Sequence, residues 1–179
     1  MKEVEVEVKG ISALLMHRFN SDEPDSKSVK KTGRKDYKAE LENALYKLPD
    51  GTIYEPASHL EGSLIKAAGN FQISGRGKKT YKDLIKSAVF VSPDAIPHLK
   101  QHYENDARLV VVPATRGRVT RYRPRFDEWG LRFTIQVTDD QLPLEVLKEI
   151  LDYAGRSVGI GDFRPRFGRF IVTRFEEKR

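Results

Sequence analysis

Valine alternates with glutamate along residues 3–8 (EVEVEV), a strict period of two that predicts a half-buried strand. After Lys9-Gly10 the chain turns apolar (ISALLM), which fits either a bulged continuation or a bend at Gly10. The pattern then breaks. Residues 20–37 hold almost no large aliphatic side chain and contain Pro24 and Gly33, so they read as a long mobile loop. Lys27, Lys30, Lys31, Arg34, Lys35 and the adjoining Lys38 make it basic. Helical spacing returns at 38–48, with Leu41, Ala44, Leu45 and Leu48 on one face. A Pro49-Asp50-Gly51-Thr52 turn leads into a short strand at Ile53-Tyr54. Ser58 followed by Glu61 reads as a capping box opening a helix, with Leu60, Leu64 and Ala67 or Ala68 toward the core.

A glycine-rich basic loop, SGRGKKTY, precedes a second helical piece near 80–87. Apolar runs at 88–91 and 108–112 read as buried strands, with Pro93 and Pro97 marking a loop between them. Alternation resumes at 113–127 and again in WGLRFTIQV, residues 129–137. Pro143 stands in the first turn of a helix that Gly155 closes, and 169–175 form the last strand. The resulting βαββαβ order predicts an α+β, ferredoxin-like or RRM-like domain. Its antiparallel sheet would carry two helices on one face, plus an inserted basic hairpin and a glycine-rich loop before the last strand. The other face of such a sheet is where RRM-like modules meet single-stranded nucleic acid.

The chain has 179 residues and 39% hydrophobic positions, enough for one core, so a single domain over 1–179 is expected. Charged residues reach 32%, above the roughly 25% of average proteins. No run approaches the roughly 18 apolar residues of a membrane span, and mean hydropathy is −0.56. The N-terminus lacks the basic and apolar regions of a signal peptide. Absence of cysteine excludes disulfides, thiolate metal sites and a cysteine nucleophile, and fits a cytoplasmic location. The four histidines form no HExxH pair, so neither metal nor cofactor is expected. A formal charge of +6 favours a polyanionic partner.

The distribution of that charge is more informative than its sum. Residues 116–125, RGRVTRYRPR, carry Arg116, Arg118, Arg121, Arg123 and Arg125 with no acid. Planar guanidinium groups suit phosphate oxygens, and Tyr122 among them would stack on an unpaired base. In an extended hairpin, Arg121, Arg123 and Arg125 share one face at the spacing of successive phosphates. The stretch GRSVGIGDFRPRFGRF adds Arg164, Arg166 and Arg169 among glycines that let backbone amides approach a phosphate. Lys78 and Lys79, with Arg76, Lys66 and Arg18, complete the expected cationic groove. SGRGKKT is no Walker A loop, because Gln72 stands where the first glycine belongs and Lys79 where serine or threonine belongs. For catalysis, His17 is a candidate general base, and paired aspartates of the loop such as Asp22 and Asp25 are candidate Mg²⁺ ligands.

Two segments together resemble the RAMP superfamily of CRISPR-associated proteins. IYEPASHLEGSLIKAAG is similar to its strand–Pro-x-Ser–helix element, matching at Pro56, Ala57, Ser58, Leu60 and Gly62 and departing at His59 and Glu61. GIGDFRPRFGRFIV resembles the family's glycine-rich loop before the last strand, matching at Gly159, Gly161 and Gly168. The resemblance is strongest to the repeated backbone subunit of an effector complex. It implies a guide-RNA-binding protein of antiviral defence, assembling as copies of itself along the strand with other effector subunits, and with 111–127 as a thumb-like hairpin. The expected partner is therefore single-stranded RNA, or DNA, and no membrane. The alternatives are a metal-independent endoribonuclease of the same superfamily, using His17 or His59, and an interaction protein of a phage or mobile element.

Overall fold

The structure is a computed structural model and describes residues 1–18, 37–111 and 116–178. In chain order the elements are β1 (Lys2–Gly10), β2 (Leu14–Leu15), α1 (Tyr37–Asn43), β3 (Tyr54–Pro56), α2 (Ala57–Ala68), α3 (Lys82–Ala88) and β4 (Val89–Ser92). They continue with β5 (Ala95–Pro97), β6 (Glu104–Val111), β7 (Arg118–Phe126), β8 (Gly130–Val137), α4 (Leu144–Tyr153) and β9 (Phe170–Glu177). Most of the 20–37 segment lies outside the described residues.

The period of two in β1 does what it predicts. Val4, Val6 and Val8 are fully buried while Glu3, Glu5 and Glu7 turn to the other face. β1 pairs antiparallel with β8 on one side and β9 on the other, and β4 adds beyond β8. The sheet order is β4-β8-β1-β9. Counting only βαββαβ strands, that is second-third-first-fourth, the ferredoxin-like order. Helices α2 and α4 cover one face. Leu60, Leu64, Ala67 and Ala68 of α2 and Leu147, Ile150 and Leu151 of α4 pack on the buried valines. Each of these leucines contributes about 1.5–3 kcal/mol by leaving water.

At Gly10 the chain bends rather than continuing with a bulge. Leu14 and Leu15 join a second sheet of order β2-β7-β6, pairing with Phe126 and Arg125. This sheet contains the basic hairpin. β3 and β5 form a third, two-stranded sheet, so the Pro93–Pro97 connection contains a strand as well as a loop.

Four local expectations are corrected. The helix over 38–48 stops at Asn43, although Ala44 and Leu45 are still buried. α2 starts at Ala57 behind Pro56 without a side-chain cap. Glu61 accepts instead from the Val91 backbone N–H at 3.0 Å, tying α2 to β4, so there is no capping box. Gly155 does not close the last helix. It lies in a π-helical turn, Ala154–Val158, with its Cα against Phe170, and the left-handed residue is Gly159 at φ 73°. The apolar run expected at 108–112 is not buried over its described part, 108–111. Leu109 and Val111 are 62% and 59% exposed, because β6 is the outer strand of a projecting hairpin.

Candidate nucleic-acid interface

β6 and β7 pair from Glu104↔Arg125 to Val111↔Arg118. Arg121, Arg123 and Arg125 do share one face of β7, as alternation requires, and Arg108 and Asp106 of β6 lie opposite on that face. All three are engaged by carboxylates of this chain. Arg121 stands 3.7 Å from Glu40 of α1. Arg125 Nε donates to Asp127 at 2.7 Å, and its head lies 3.7 Å from Asp106. Arg123 is withdrawn from the surface altogether: its Nε is 2.5 Å from Asp162 Oδ2 and its side chain only 10% exposed. Tyr122 is half-buried on the opposite face of the strand, which it shares with Arg118. Arg116 and Arg118 are exposed and have no ion-pair partner among the described residues.

The glycine-rich loop meets this hairpin. Gly168, at φ 74°, donates its N–H to Ala13 O at 2.8 Å, and a Cβ there would sit 1.7 Å from Ile160 O. Gly161, at φ 76°, lies so close to β2 that a Cβ would meet Leu15 O at 2.6 Å. Only glycine tolerates that approach in that conformation. The next residue, Asp162, then donates its backbone N–H to Leu15 O at 2.9 Å, which brings its carboxylate to Arg123. Arg123 also lies 4.9 Å from the Phe163 ring centroid, and Arg108 lies 4.6 Å from that of Phe167. Arg164 and Arg166 are exposed between these two aromatics, unpaired among the described residues. Arg169 is half-buried and its backbone N–H donates to Ser12 Oγ at 2.9 Å.

Other expected groove residues do not join this junction. Lys66 is in the last turn of α2, and Arg76 donates to Gln141, just before α4, at 2.8 Å. Lys78 and Lys79 belong to the same turn. The glycine-rich loop faces the opposite end of α2, about 18 Å away for twelve residues. The open sheet face is not an RRM-type platform either. Its central strands present Glu3, Glu5, Glu7, Arg132, Thr134 and Gln136, with no aromatic among them. Glu7 holds Arg132 at 2.8 Å and Glu5 holds Arg174 at 3.3 Å.

Beside the junction a cavity of about 130 Å³ is lined by Met16, His17, Glu55, His59, Gly161 and Asp162. His17 and His59 thus come together, whereas Asp22 and Asp25 lie outside the described residues. Glu55 is buried at 1% exposure, with Oε1 2.5 Å from His59 Nδ1. Its Oε2 is 3.5 Å from His98 Nε2, an ion-pair distance too long for a good hydrogen bond. Burial pushes the Glu55 carboxyl up, but the His59 and His98 imidazoles outweigh it and hold it below the usual glutamate value. Sequence reasoning missed Glu55 and Asp162. The spacing of four between Glu55 and His59 was the available signal, obscured because it spans a strand–helix junction.

No protein-family model matches the sequence, and no curated protein matches it. Among solved structures, the fold is similar to a chain of the cryo-EM structure of the Type III-B Cmr-beta bound to cognate target RNA. That match has TM-score 0.59 and 11% identity, covering 98% of this chain and 60% of the other. A CRISPR protein from Archaeoglobus fulgidus (TM-score 0.47, 12% identity) is matched over 100% of this chain and 65% of its own. A chain of a Type IV-B CRISPR complex (TM-score 0.47, 12% identity) is matched over 98% and 90%. The chain therefore spans less than two thirds of the first two. The ferredoxin-like fold is the one shared with the Cmr-beta chain. Among the described residues, no helix is long and apolar enough to cross a membrane.

Proposed function

We propose that this protein is a guide-RNA-binding backbone subunit of a CRISPR-type ribonucleoprotein, working in the cytoplasm as repeated copies along a single strand beside other effector subunits. The observation that carries this reading is the joining of hairpin and glycine-rich loop through Arg123, Asp162 and Phe163. That joint fastens the hairpin, which carries the exposed Arg116 and Arg118, to the loop, which carries the exposed Arg164 and Arg166. Guanidinium groups unpaired in the free protein gain most from a phosphate, because no internal ion pair must break first. Arg121 and Arg125, each about a third exposed, exchange their carboxylates for phosphate only at the edge of the track. Tyr122, on the face of Arg118, stacks on a base. Arg169 lies in the loop itself, and the exposed Arg18, whose backbone N–H donates to Ala44 O at 2.9 Å, follows the cavity-lining His17. Lys66, Arg76, Lys78 and Lys79 form a second basic patch, at the far end of α2, that receives the strand leaving the first. The likeness of fold to a chain of the Cmr-beta structure, which is bound to cognate target RNA, favours RNA over DNA in this reading.

Electron microscopy of the full chain mixed with single-stranded RNA tests the reading. Regular filaments that dissolve on ribonuclease treatment are expected, and isolated protomers with unbound RNA would contradict it.

A second reading, metal-independent RNA cleavage, has one observation in its favour: His59, oriented by the buried Glu55, lines a pocket with His17. Labelled RNA incubated with the protein in EDTA separates the two. Strands cut to 2′,3′-cyclic ends identify a nuclease, whereas intact bound strands identify the subunit proposed above.

A further inference from the structure

The carboxylates on the arginine face of β7 hold their partners to different degrees. Asp162 keeps Arg123, whose side chain is almost withdrawn from solvent. Asp106 is buried and shared by Arg108 and Arg125, and Asp127 takes the Arg125 Nε at 2.7 Å. Freeing Arg123 would strand a buried charge, and freeing Arg125 would cost it two carboxylates. Glu40 is the loose member. Its Oε1 stands 3.7 Å from Arg121 Nη1, beyond hydrogen-bond length, and the Arg121 side chain is 34% exposed.

The same Glu40 oxygen accepts the Tyr122 backbone N–H, at a long 3.4 Å. One anionic oxygen is thus placed between a guanidinium and the main-chain N–H of the next residue. Those are two of the donors that proteins offer to the phosphates of a strand. Glu40 reaches them from α1, which packs on β7, and Ala44 and Leu45 just beyond that helix are buried. The Glu40 side chain can therefore swing away by rotation while the chain that carries it stays anchored.

We propose that Arg121 and the Tyr122 N–H form a phosphate site that Glu40 fills in the free protein, so that a strand binds there only by displacing it. The proposal rests on the strand-binding reading and deepens it, because it makes Glu40 an internal competitor that sets the affinity. Such a competitor also blunts the salt dependence. A phosphate that replaces the carboxylate gives up a counterion, but the displaced carboxylate collects a cation in its turn.

Fluorescence anisotropy with a single-stranded RNA tests it on the full chain, comparing wild type, Glu40→Gln and Glu42→Gln. Glutamine still accepts the Tyr122 N–H, so Glu40→Gln removes the charge and keeps the fold. Glu42 lies on the same helix but serves Lys47 and, at 2.9 Å, the Tyr103 hydroxyl, so Glu42→Gln is the charge-matched control. Glu40→Gln is expected to bind about two- to fivefold tighter at low salt, the factor that a partly exposed ion pair is worth. Its slope of log K against log salt should steepen by about 0.7, one further phosphate on a single strand. Glu42→Gln should stay near wild type, and the gain should vanish when Glu40→Gln is combined with Arg121→Gln. Equal affinities for wild type and Glu40→Gln, or equal gains from both glutamines, would overturn the proposal and leave the strand-binding reading intact. Weaker binding by folded Glu40→Gln would overturn it too, since Glu40 would then orient Arg121 rather than compete for it. Failure of wild type and every variant to bind would overturn both.

Discussion

Arg123 Nε lies 2.5 Å from Asp162 Oδ2, with the guanidinium 4.9 Å from the Phe163 ring centroid, so one arginine fastens the basic hairpin to the glycine-rich loop. The sequence presents Arg123 as one cation among five. Its position makes it the joint between the two stretches that carry the exposed arginines.

Breaking that joint should cost stability. Removing one partner of a fully buried ion pair costs about 3–5 kcal/mol. The Asp162 side chain is 34% exposed, so solvent relieves part of its loss and Arg123→Ala is expected to cost about 2 kcal/mol. Arg123→Lys should recover only a fraction, because a point ammonium does not stack on the Phe163 ring as the guanidinium does. Urea unfolding midpoints measure both, and an unchanged midpoint for Arg123→Ala would show the joint is incidental.

The loop itself depends on Gly168. An added Cβ would stand 1.7 Å from Ile160 O at a backbone φ of 74°. Gly168→Ala is therefore expected to lose about 3 kcal/mol through strain and displacement. At roughly 2–4 °C per kcal/mol for a chain of this size, that is a fall in Tm of about 6–12 °C. Gly62→Ala, at a helix position where nothing lies within 4 Å, is the matched control and should not lower Tm.

Acid should uncover the Glu55 cluster. His59 and His98 hold its folded pKa below the ordinary 4.5, despite burial. A carboxylate with a depressed folded pKa contributes stability that is complete above its unfolded value and is lost as pH falls through the folded one. The stability gap between wild type and Glu55→Gln is thus expected to be flat above about pH 4.5 on this account and to shrink below it. Chemical denaturation across pH would contradict the assignment if the gap grew on acidification.

Much of this architecture follows from local pattern. The EVEVEV alternation, the helical spacing of Leu60 and Leu64, and the WGLRFTIQV strand are each decided by neighbours two to four residues away. The failures are of another kind. Glu61 matches a capping box, yet its carboxylate serves Val91 on another element. Leu109 and Val111 look buried by composition, but a hairpin edge exposes them. The basic stripe was legible as a count of arginines. Which of them are free depends on Glu40, Asp106 and Asp162, brought in by long-range contacts that no local window contains.

The most direct test of the central claim is the salt dependence of single-stranded RNA binding by the Arg164→Glu/Arg166→Glu double variant, measured by anisotropy beside wild type. If these two exposed arginines contact phosphates, affinity should fall severalfold or more at low salt. The slope of log K against log salt should also flatten by about 1.4, that is, about 0.7 for each of two lost contacts on a single strand. A variant that binds with wild-type affinity and an unchanged slope would show that the strand, if it binds at all, runs elsewhere on the molecule.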